Sequence, residues 1–183
     1  MKFSMIFFFI YLGISPRMFF SDIKRPIDFS FKLISETDSY DSKTGIYKRR
    51  YSNFDSIMNA GWAAIDSTLI DHSYTKGDSS IKVGLTESDW QLIYDSFLKS
   101  DFMNFPRYFE CAKDADESLP AFVTTLEFTC RGVTKKVTNS SFCDKKIKQK
   151  QADKFDQLDS ILHEIIINKP QIKKMKDSDL LFL

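Results

Sequence analysis

Apolar and polar residues alternate along three stretches in the first half of the chain, which is the pattern of strands that bury one face. The first stretch predicts a strand whose buried face carries Ile27, Phe29, Phe31 and Leu33. The second and third strands are predicted at residues 46–52 and 81–85. Residues 35–45 are polar, and we predict a connection that ends in a turn at Gly45, because glycine tolerates a positive φ.

Residues 122–138 predict a β-hairpin, with Arg131-Gly132 as its tight turn. The alternation gives the hairpin one apolar face, which is formed by Phe122, Leu126, Phe128, Cys130, Val133 and Val137. Because that face is expected to lie on the core, Cys130 is predicted to point inward.

A first amphipathic helix is predicted at about 87–100. It follows Thr86-Glu-Ser-Asp89, where the threonine hydroxyl can cap a free amide and the acids lie at the positive end of the helix dipole. Its apolar face is expected to comprise Trp90, Ile93, Tyr94, Phe97 and Leu98.

A second amphipathic helix is predicted after the lysine-rich segment that follows Cys143, and it should end near Asn168 and Pro170. Its apolar stripe consists of Phe155, Leu158, Ile161, Leu162, Ile165 and Ile166. His163 lies away from that stripe, so we expect it to face solvent.

The predicted order of elements is β-β-β-α-β-β-α. This order indicates an α+β fold, an antiparallel sheet of about five strands with two helices packed on one face. At 183 residues the chain has room for one domain of ordinary size, and 43% hydrophobic residues supply a core. We assign the domain to residues 22–170, with an insertion at 53–79 that fits neither period and a mobile tail at 171–183.

The amino-terminal residues have the features of an export signal. Lys2 supplies a short positive start, and residues 3–14 are an almost unbroken apolar run. This run is shorter than the roughly 20 residues that span a bilayer, which favours a signal at 1–21, with a buried terminal element as the alternative. The cleavage site stays open, because neither a cut before Pro16 nor one near Ser21 has ideal flanks. We therefore expect a periplasmic, secreted or envelope-associated protein that contacts the membrane only through this segment if it is uncleaved.

The balance of charge gives no reason to expect binding to nucleic acid. Removing residues 1–21 deletes Lys2 and Arg17 and no acid, so that 24 basic and 25 acidic side chains remain. Three basic clusters are separated in the sequence, and we interpret them as solvated faces; they lie at 48–50, 145–148 and 173–176.

Three cysteines in an exported chain suggest one disulfide and one remaining thiol. Cys111 and Cys143 flank the predicted hairpin outside its strands. A bond between them would tie the loop before the hairpin to the beginning of the last helix. We favour this pair, and the two pairings that involve Cys130 remain alternatives.

Residues 109–122, Phe-Glu-Cys-Ala-Lys-Asp-Ala-Asp-Glu-Ser-Leu-Pro-Ala-Phe, are rich in carboxylates. Asp114, Asp116 and Ser118 have the spacing of the first three ligands in a calcium-binding helix-loop-helix loop. Leu119 stands where that loop needs glycine, and Thr125 stands where it needs glutamate. We therefore interpret the stretch as a polar connection in which Asp114 and Asp116 are the metal candidates, and we predict no cofactor.

Hydrolysis is the alternative to a binding function. His72 lies in the insertion, with Asp66 and Asp71 nearby in sequence. A serine-histidine-aspartate arrangement also needs an oxyanion site, and the chain has no Gly-x-Ser-x-Gly sequence. No catalytic residue is therefore assigned, and the alternative hypothesis is a hydrolase or a metal-dependent activity that uses His72 with Asp66 or Asp71, or Asp114 with Asp116.

Several short motifs accompany the predicted elements: Gly45-Ile-Tyr, Ile81-Lys-Val-Gly-Leu-Thr, Asp101-Phe-Met-Asn-Phe-Pro, Leu119-Pro120, Thr125-Leu-Glu-Phe and Gly132-Val-Thr-Lys-Lys-Val-Thr-Asn139. Over residues 27–168 the chain thereby resembles a family of uncharacterised domains found in exported bacterial proteins, especially from Bacteroidota. The resemblance implies the same fold and an exported location, and it carries no activity. Residues 53–79 look longer here than in that family.

The sequence therefore predicts a non-enzymatic binding or interaction module of the bacterial envelope. Its partner is expected to be a protein or another envelope component, bound through the open face of the sheet or through the insertion at 53–79. Neither surface is specific enough in sequence to identify the partner.

Overall fold

The strands pair into one antiparallel sheet within residues 24–51, 79–117 and 122–178, which the computed structural model describes. In these ranges the sheet has six strands: β1 Ser30–Ile34, β2 Asp38–Asp41, β3 Ile46–Arg49, β4 Ser79–Lys82, β5 Val123–Cys130 and β6 Val133–Ser140. Their order is β4-β3-β2-β1-β5-β6. The helices are α1 Glu87–Ser100, α2 Gln149–Ile167 and α3 Pro170–Lys173. The prediction of an α+β fold with an antiparallel sheet and packed helices is confirmed.

Strand β2 was missed in the polar stretch 35–45. Its sequence, Asp-Ser-Tyr-Asp, has a single large apolar side chain, Tyr40, which is buried in the core. The phenol of Tyr40 donates a hydrogen bond to the Val83 carbonyl at 3.1 Å. β2 pairs with β1 on one side and β3 on the other. A strand of four residues with one buried side chain is too short to show alternation, so only its pairing with β1 and β3 identifies it.

The alternation along β1 and the hairpin correctly predicts the centre of the core and fails at the ends of the strands. Phe29, Phe31 and Leu33 are buried as predicted, whereas Ile27 precedes the strand and is fully exposed. In the hairpin, Leu126, Phe128 and Val137 are buried, and Cys130 is half-buried against the core. Phe122 and Val133 are exposed. Val133 is the first residue of β6, and Phe122 lies one residue before β5.

The Arg131-Gly132 turn is present, with φ of 52° and 75° at its two residues. Both values lie in the left-handed region that a tight hairpin of this kind requires. Asp28 holds the turn, because its carboxylate accepts hydrogen bonds from the backbone N–H groups of Arg131 and Gly132. These bonds hold the pKa of Asp28 below its ordinary value.

Helix α1 begins and ends where the sequence predicts. The Asp89 N–H donates to Thr86 Oγ1 at 3.2 Å, and the Thr86 N–H donates to the Asp89 carboxylate at 2.6 Å, which together form a capping box. Ile93, Tyr94 and Phe97 are buried, and the rings of Tyr94 and Phe97 contact Phe29 of the sheet. The predicted apolar face is too wide by one residue, since Leu98 is 40% exposed.

Helix α2 carries the predicted apolar stripe, and the chain beyond it packs against the domain. Residues 171–183 were predicted to be a mobile tail, but α3 follows at once and buries Ile172. The Lys176 carbonyl then accepts hydrogen bonds from Arg49 and Tyr51, each 3.0 Å long. The prediction is therefore wrong for the described part of this segment, up to residue 178.

Two basic residues that were predicted to lie in solvated clusters are buried. Arg49 donates to the Asp38 carboxylate at 2.9 Å and to the Tyr47 hydroxyl at 2.7 Å. Burial alone would lower the pKa of Arg49, but Asp38 and Tyr47 outweigh it and leave the pKa raised. Lys146, the second buried residue, lines the cleft that is described below.

Some of the sequence predictions lie outside the described residues. This holds for the export signal at 1–21 and for all of the insertion at 53–79 except Ser79, which begins β4. Among the helices described, none combines the length and apolar composition needed to cross a membrane.

Candidate binding cleft

Residues 109–117, the described part of the acidic stretch, form a strap that starts beside the free edge of β6 and continues along the segment after that strand. The Thr138 N–H donates to the Arg107 carbonyl at 2.9 Å, and the Phe109 N–H donates to the Thr138 carbonyl at 3.3 Å. Further along, the Ile147 N–H donates to the Glu110 carbonyl at 3.0 Å. The stretch is therefore a connection, as predicted, and it satisfies backbone groups that an edge strand would otherwise leave unpaired.

A disulfide between Cys111 and Cys143 fixes the strap to the segment before α2. This is the pair that the sequence favours, with a Cα–Cα distance of 5.9 Å. Cys143 is buried and Cys111 is half-buried. Cys130 remains a free thiol, and burial raises its pKa.

The metal candidates lie on the exposed side of the strap. Asp114 accepts a hydrogen bond from Lys145 at 3.1 Å, and both side chains are mostly exposed. Asp116 is also exposed. Within the described ranges, no three His, Cys, Asp or Glu side chains come close enough together to hold a metal ion. A pair between two exposed charges contributes little to stability.

The candidate catalytic residues His72, Asp66 and Asp71 lie outside the described residues. His163, which was expected to face solvent, is half-buried on α2. Its Nδ1 lies 3.0 Å from Asp159 Oδ1, one turn earlier in the helix. Burial alone would lower the pKa of His163, but the hydrogen bond and charge of Asp159 outweigh it and leave the pKa raised.

The His163–Asp159 pair predicts a pH dependence of stability. Because the pKa of His163 is raised on folding, its contribution is complete below its ordinary pKa of 6.5 and disappears as pH rises through the folded value. Urea unfolding from pH 5.5 to 8.5 should therefore show a smaller loss of stability with rising pH in His163→Gln than in the wild type. Parallel pH profiles for the two proteins would contradict this.

A cleft of about 310 Å³ opens between the ends of the hairpin strands and the first turns of α2. Thr124 and Asn139 are paired across β5 and β6 at its base. The hairpin strands and α2 form two walls of the cleft. The third wall is the segment from Ser140 to Lys146, which the disulfide holds in place. Its lining combines amides, hydroxyls and charges with two aromatic rings, from Phe122, Thr124, Asn139, Ser140, Ser141, Cys143, Asp144, Lys146, Gln149, Ala152, Phe155 and Asp156.

Lys146 is the buried cation of this cleft and is 7% exposed. Its ammonium donates to the Ser140 carbonyl and to Cys143 Sγ, the latter at 3.1 Å. Burial lowers the pKa of Lys146, and the charges of Asp156 and Asp144 partly oppose that effect. The ammonium therefore joins the two ends of the segment that closes the cleft.

Asp156 lies opposite on α2, at the exposed rim. Partial burial of its carboxyl raises its pKa, aided by the charges of Asp159 and Asp153, although the hydrogen bond from Asn139 opposes the shift. The Asn139 Nδ2 donates to Asp156 Oδ1 at 2.8 Å. The cleft therefore has a carboxylate and an ammonium on different walls.

Asn139 supplies the feature that most clearly indicates a ligand. The residue is 8% exposed, and its Oδ1 is buried without a hydrogen-bond partner. A buried acceptor that stays unpaired costs about 1 to 3 kcal/mol, so native proteins usually satisfy such atoms. Its amide orientation is fixed, because Nδ2 must face Asp156 to donate. Oδ1 is thus a buried acceptor on a residue that lines the cleft, and no group of the described protein donates to it.

The open face of the sheet also has a pocket, of about 340 Å³ over β1, β2 and β3, but none of the described residues that line it has a buried side-chain atom without a hydrogen-bond partner. Lys32 lies 3.4 Å from Asp41 and is in register with Glu127, which is in turn in register with Lys136. Two threonine pairs share hydrogen bonds 2.9 Å long: Thr125 with Thr138 and Thr129 with Thr134. Because Lys32, Asp41 and the four threonines already have partners and no buried acceptor is left unpaired among the described residues of this face, the cleft is the better candidate site.

No residue of the cleft was assigned a binding role from the sequence, which placed Cys143 in the disulfide, Phe122 in the hairpin and Phe155 in the last helix. Lys146 was placed in a solvated cluster, and Asn139 was named only as the last residue of a motif in the second hairpin strand. The only signal is compositional, a polar Asn-Ser-Ser run at the end of a strand whose preceding residues alternate. The fold and the cleft define the protein as an α+β domain with a polar, disulfide-bordered cleft. Comparison of the chain with protein-family models, curated proteins and solved structures found no match.

Proposed function

We propose that this protein is an exported, non-enzymatic binding module and that its binding site is the cleft between the hairpin and α2. The observation that carries the proposal is the unpaired Asn139 Oδ1 on the wall of a pocket of about 310 Å³. A ligand that donates a hydrogen bond to this atom would satisfy it. The hydrogen bond would contribute more to the binding free energy than one to a hydrated acceptor, because this acceptor has already lost its water.

The chemistry of the cleft supports binding over catalysis. The Lys146 ammonium is engaged by the Ser140 carbonyl and by Cys143 Sγ, so it is not poised as a base. The Cys143 sulfur is in the disulfide and is not a nucleophile in that state. The hydrolase that would use His72 with Asp66 or Asp71 remains a separate hypothesis, and it predicts that binding depends on His72.

The disulfide also supports an exported location. Structural disulfides persist in oxidising compartments and are rare in the cytosol. Together with the apolar run at residues 3–14, the bond between Cys111 and Cys143 favours a periplasmic, secreted or envelope-associated protein. The partner is then a component of that compartment, a protein or another envelope constituent, which places one polar group in the cleft.

The test is retention of an envelope component by the exported protein. The wild-type chain is immobilised, equilibrated with envelope extract and eluted, beside the cleft variants Phe122→Ala and Asn139→Leu. Tyr108→Ala is the matched control, because Tyr108 is an exposed aromatic residue outside the cleft, with 46% exposure against 49% for Phe122.

We expect a component that the wild type, Tyr108→Ala and His72→Ala retain equally and that the two cleft variants retain at least tenfold less. Circular dichroism establishes that each variant is folded. Equal retention by all five proteins would place the binding site elsewhere, and loss of retention in His72→Ala alone would favour the hydrolase hypothesis.

A further inference from the structure

We infer that the cleft takes a neutral, hydroxyl-rich ring, a sugar unit of an envelope glycan. This inference rests on the proposed function, because it specifies the ligand of the same cleft. It follows from three properties of the lining: the opposite charges on its walls, the unpaired acceptor of Asn139, and the exposed ring of Phe122.

The opposite charges disfavour a ligand group that carries a net charge. An anion near Lys146 would lie in the same cleft as the carboxylates of Asp144 and Asp156, and a cation near Asp156 would lie in the same cleft as the Lys146 ammonium. Either ion would also lose hydration on entering a cleft of this size, which costs more than the loss of hydration by a hydroxyl. The charge pattern therefore selects a neutral, dipolar ligand.

A hydroxyl group can use both walls. It is at once a donor and an acceptor, so it can donate to Asn139 Oδ1 and accept from a neighbouring donor. The carboxylate of Asp156 lies beside Asn139, since the two side chains are joined by the 2.8 Å hydrogen bond. Two adjacent acceptors are best met by two adjacent hydroxyls, such as those on neighbouring carbons of a sugar ring.

Phe122 provides an apolar contact for the sugar ring itself. Phe122 is at the rim and is 49% exposed, while Phe155 lies at the base and is fully buried. A sugar ring has C–H groups on its faces, and an exposed aromatic ring can cover them and remove apolar area from water. At about 310 Å³ the cleft is near the small end of the roughly 300 to 1,000 Å³ range of ligand pockets, which fits one ring.

The experiment titrates the exported protein with three probes that share one ring and differ in charge: methyl glucoside, glucosamine and glucuronate. The methyl glycosides of galactose, mannose and N-acetylglucosamine are added as further neutral probes. Binding is measured from ¹H–¹⁵N chemical-shift changes, with the amides of 139–146 and 149–156 as the cleft reporters. The variants are Asn139→Leu and Phe122→Ala, and the control is Tyr108→Ala.

We expect at least one neutral glycoside to shift the cleft amides, with glucosamine and glucuronate at least threefold weaker than their neutral counterpart. Asn139→Leu and Phe122→Ala should each weaken that binding at least tenfold, and Tyr108→Ala should leave it unchanged. Phe122 is exposed, so its variant remains informative if Asn139→Leu does not fold.

Three results would overturn the inference. A charged probe that binds more tightly than the neutral glycoside would show that the cleft selects an ion. Shifts that are the same in the cleft variants would place the sugar outside the cleft. If no glycoside binds while the cleft still retains an envelope component, the ligand is not a sugar and the proposed function stands. If no glycoside binds and no envelope component is retained, the inference and the proposed function both fail.

Discussion

Replacing Phe128 by alanine is expected to lower the free energy of unfolding by about 3 to 5 kcal/mol, because it removes a fully buried ring from the centre of the core. Phe128 lies on β5, and its ring packs on Phe29 and Phe31 of the sheet, on Phe97 of α1 and on Phe102 just beyond it, with centroid distances from 4.8 to 5.7 Å. The substitution would therefore leave a cavity between the sheet and α1. A loss of this size is a large part of the 5 to 15 kcal/mol that typically stabilises a domain.

Urea unfolding followed by circular dichroism measures this effect, with Phe122→Ala as the matched control. Phe122 is on the same hairpin but is half exposed, so its removal should change stability by less than about 1 kcal/mol. Similar losses in the two variants would mean that Phe128 is not the centre of the aromatic core. A change in the slope of the urea dependence would instead indicate an altered denatured state.

Removing the disulfide with Cys111→Ala/Cys143→Ala is expected to cost about 3 to 4 kcal/mol. The bond joins residues 32 positions apart, and the chain-entropy model gives values of this order for a closed loop of that length. The double variant also frees the strap from the segment before α2. We therefore expect the cleft to lose order as well, since Cys143 Sγ is one of the two acceptors of the Lys146 ammonium.

Cys130→Ala is the control for the disulfide, because Cys130 is a free, half-buried thiol on the same hairpin. Its replacement should cost less than about 1 kcal/mol. Thermal unfolding of the wild type with and without a reducing agent provides an independent measurement, in which reduction should match the double variant. A double variant as stable as Cys130→Ala would show that the strap is held by its backbone hydrogen bonds alone.

Much of the fold is predictable from local pattern because its main elements are long and amphipathic. The hairpin and both long helices repeat their period several times, and α1 has in addition a capping box that marks its first residue. β2 fails this condition, since it offers only Tyr40 as an anchor. α3 fails it as well, because a helix of four residues that begins with a proline is too short to show a period, and only the burial of Ile172 in the core reveals it.

The cleft is not predictable in the same way. Asn139 and Asp156 are 17 residues apart on a strand and a helix, and only the packing of α2 on the hairpin brings them within hydrogen-bond distance. Lys146 lies in a run of lysines whose other members are exposed, and its burial depends on the Ser140 carbonyl and the disulfide. The sequence therefore suggested other residues, Asp114 and Asp116, which share a loop but remain exposed.

The amino-acid sequence by itself determined the α+β class, β1, the hairpin, the two long helices and the cysteine pair that was favoured. These follow from periodicity, capping and spacing, which are local or nearly local properties of the chain. Only the tertiary structure decided which polar residues are buried and which acceptor is left unpaired. Burial and hydrogen bonding depend on the neighbours that packing supplies, and for Asn139, Lys146 and Asp156 those neighbours come from separate elements.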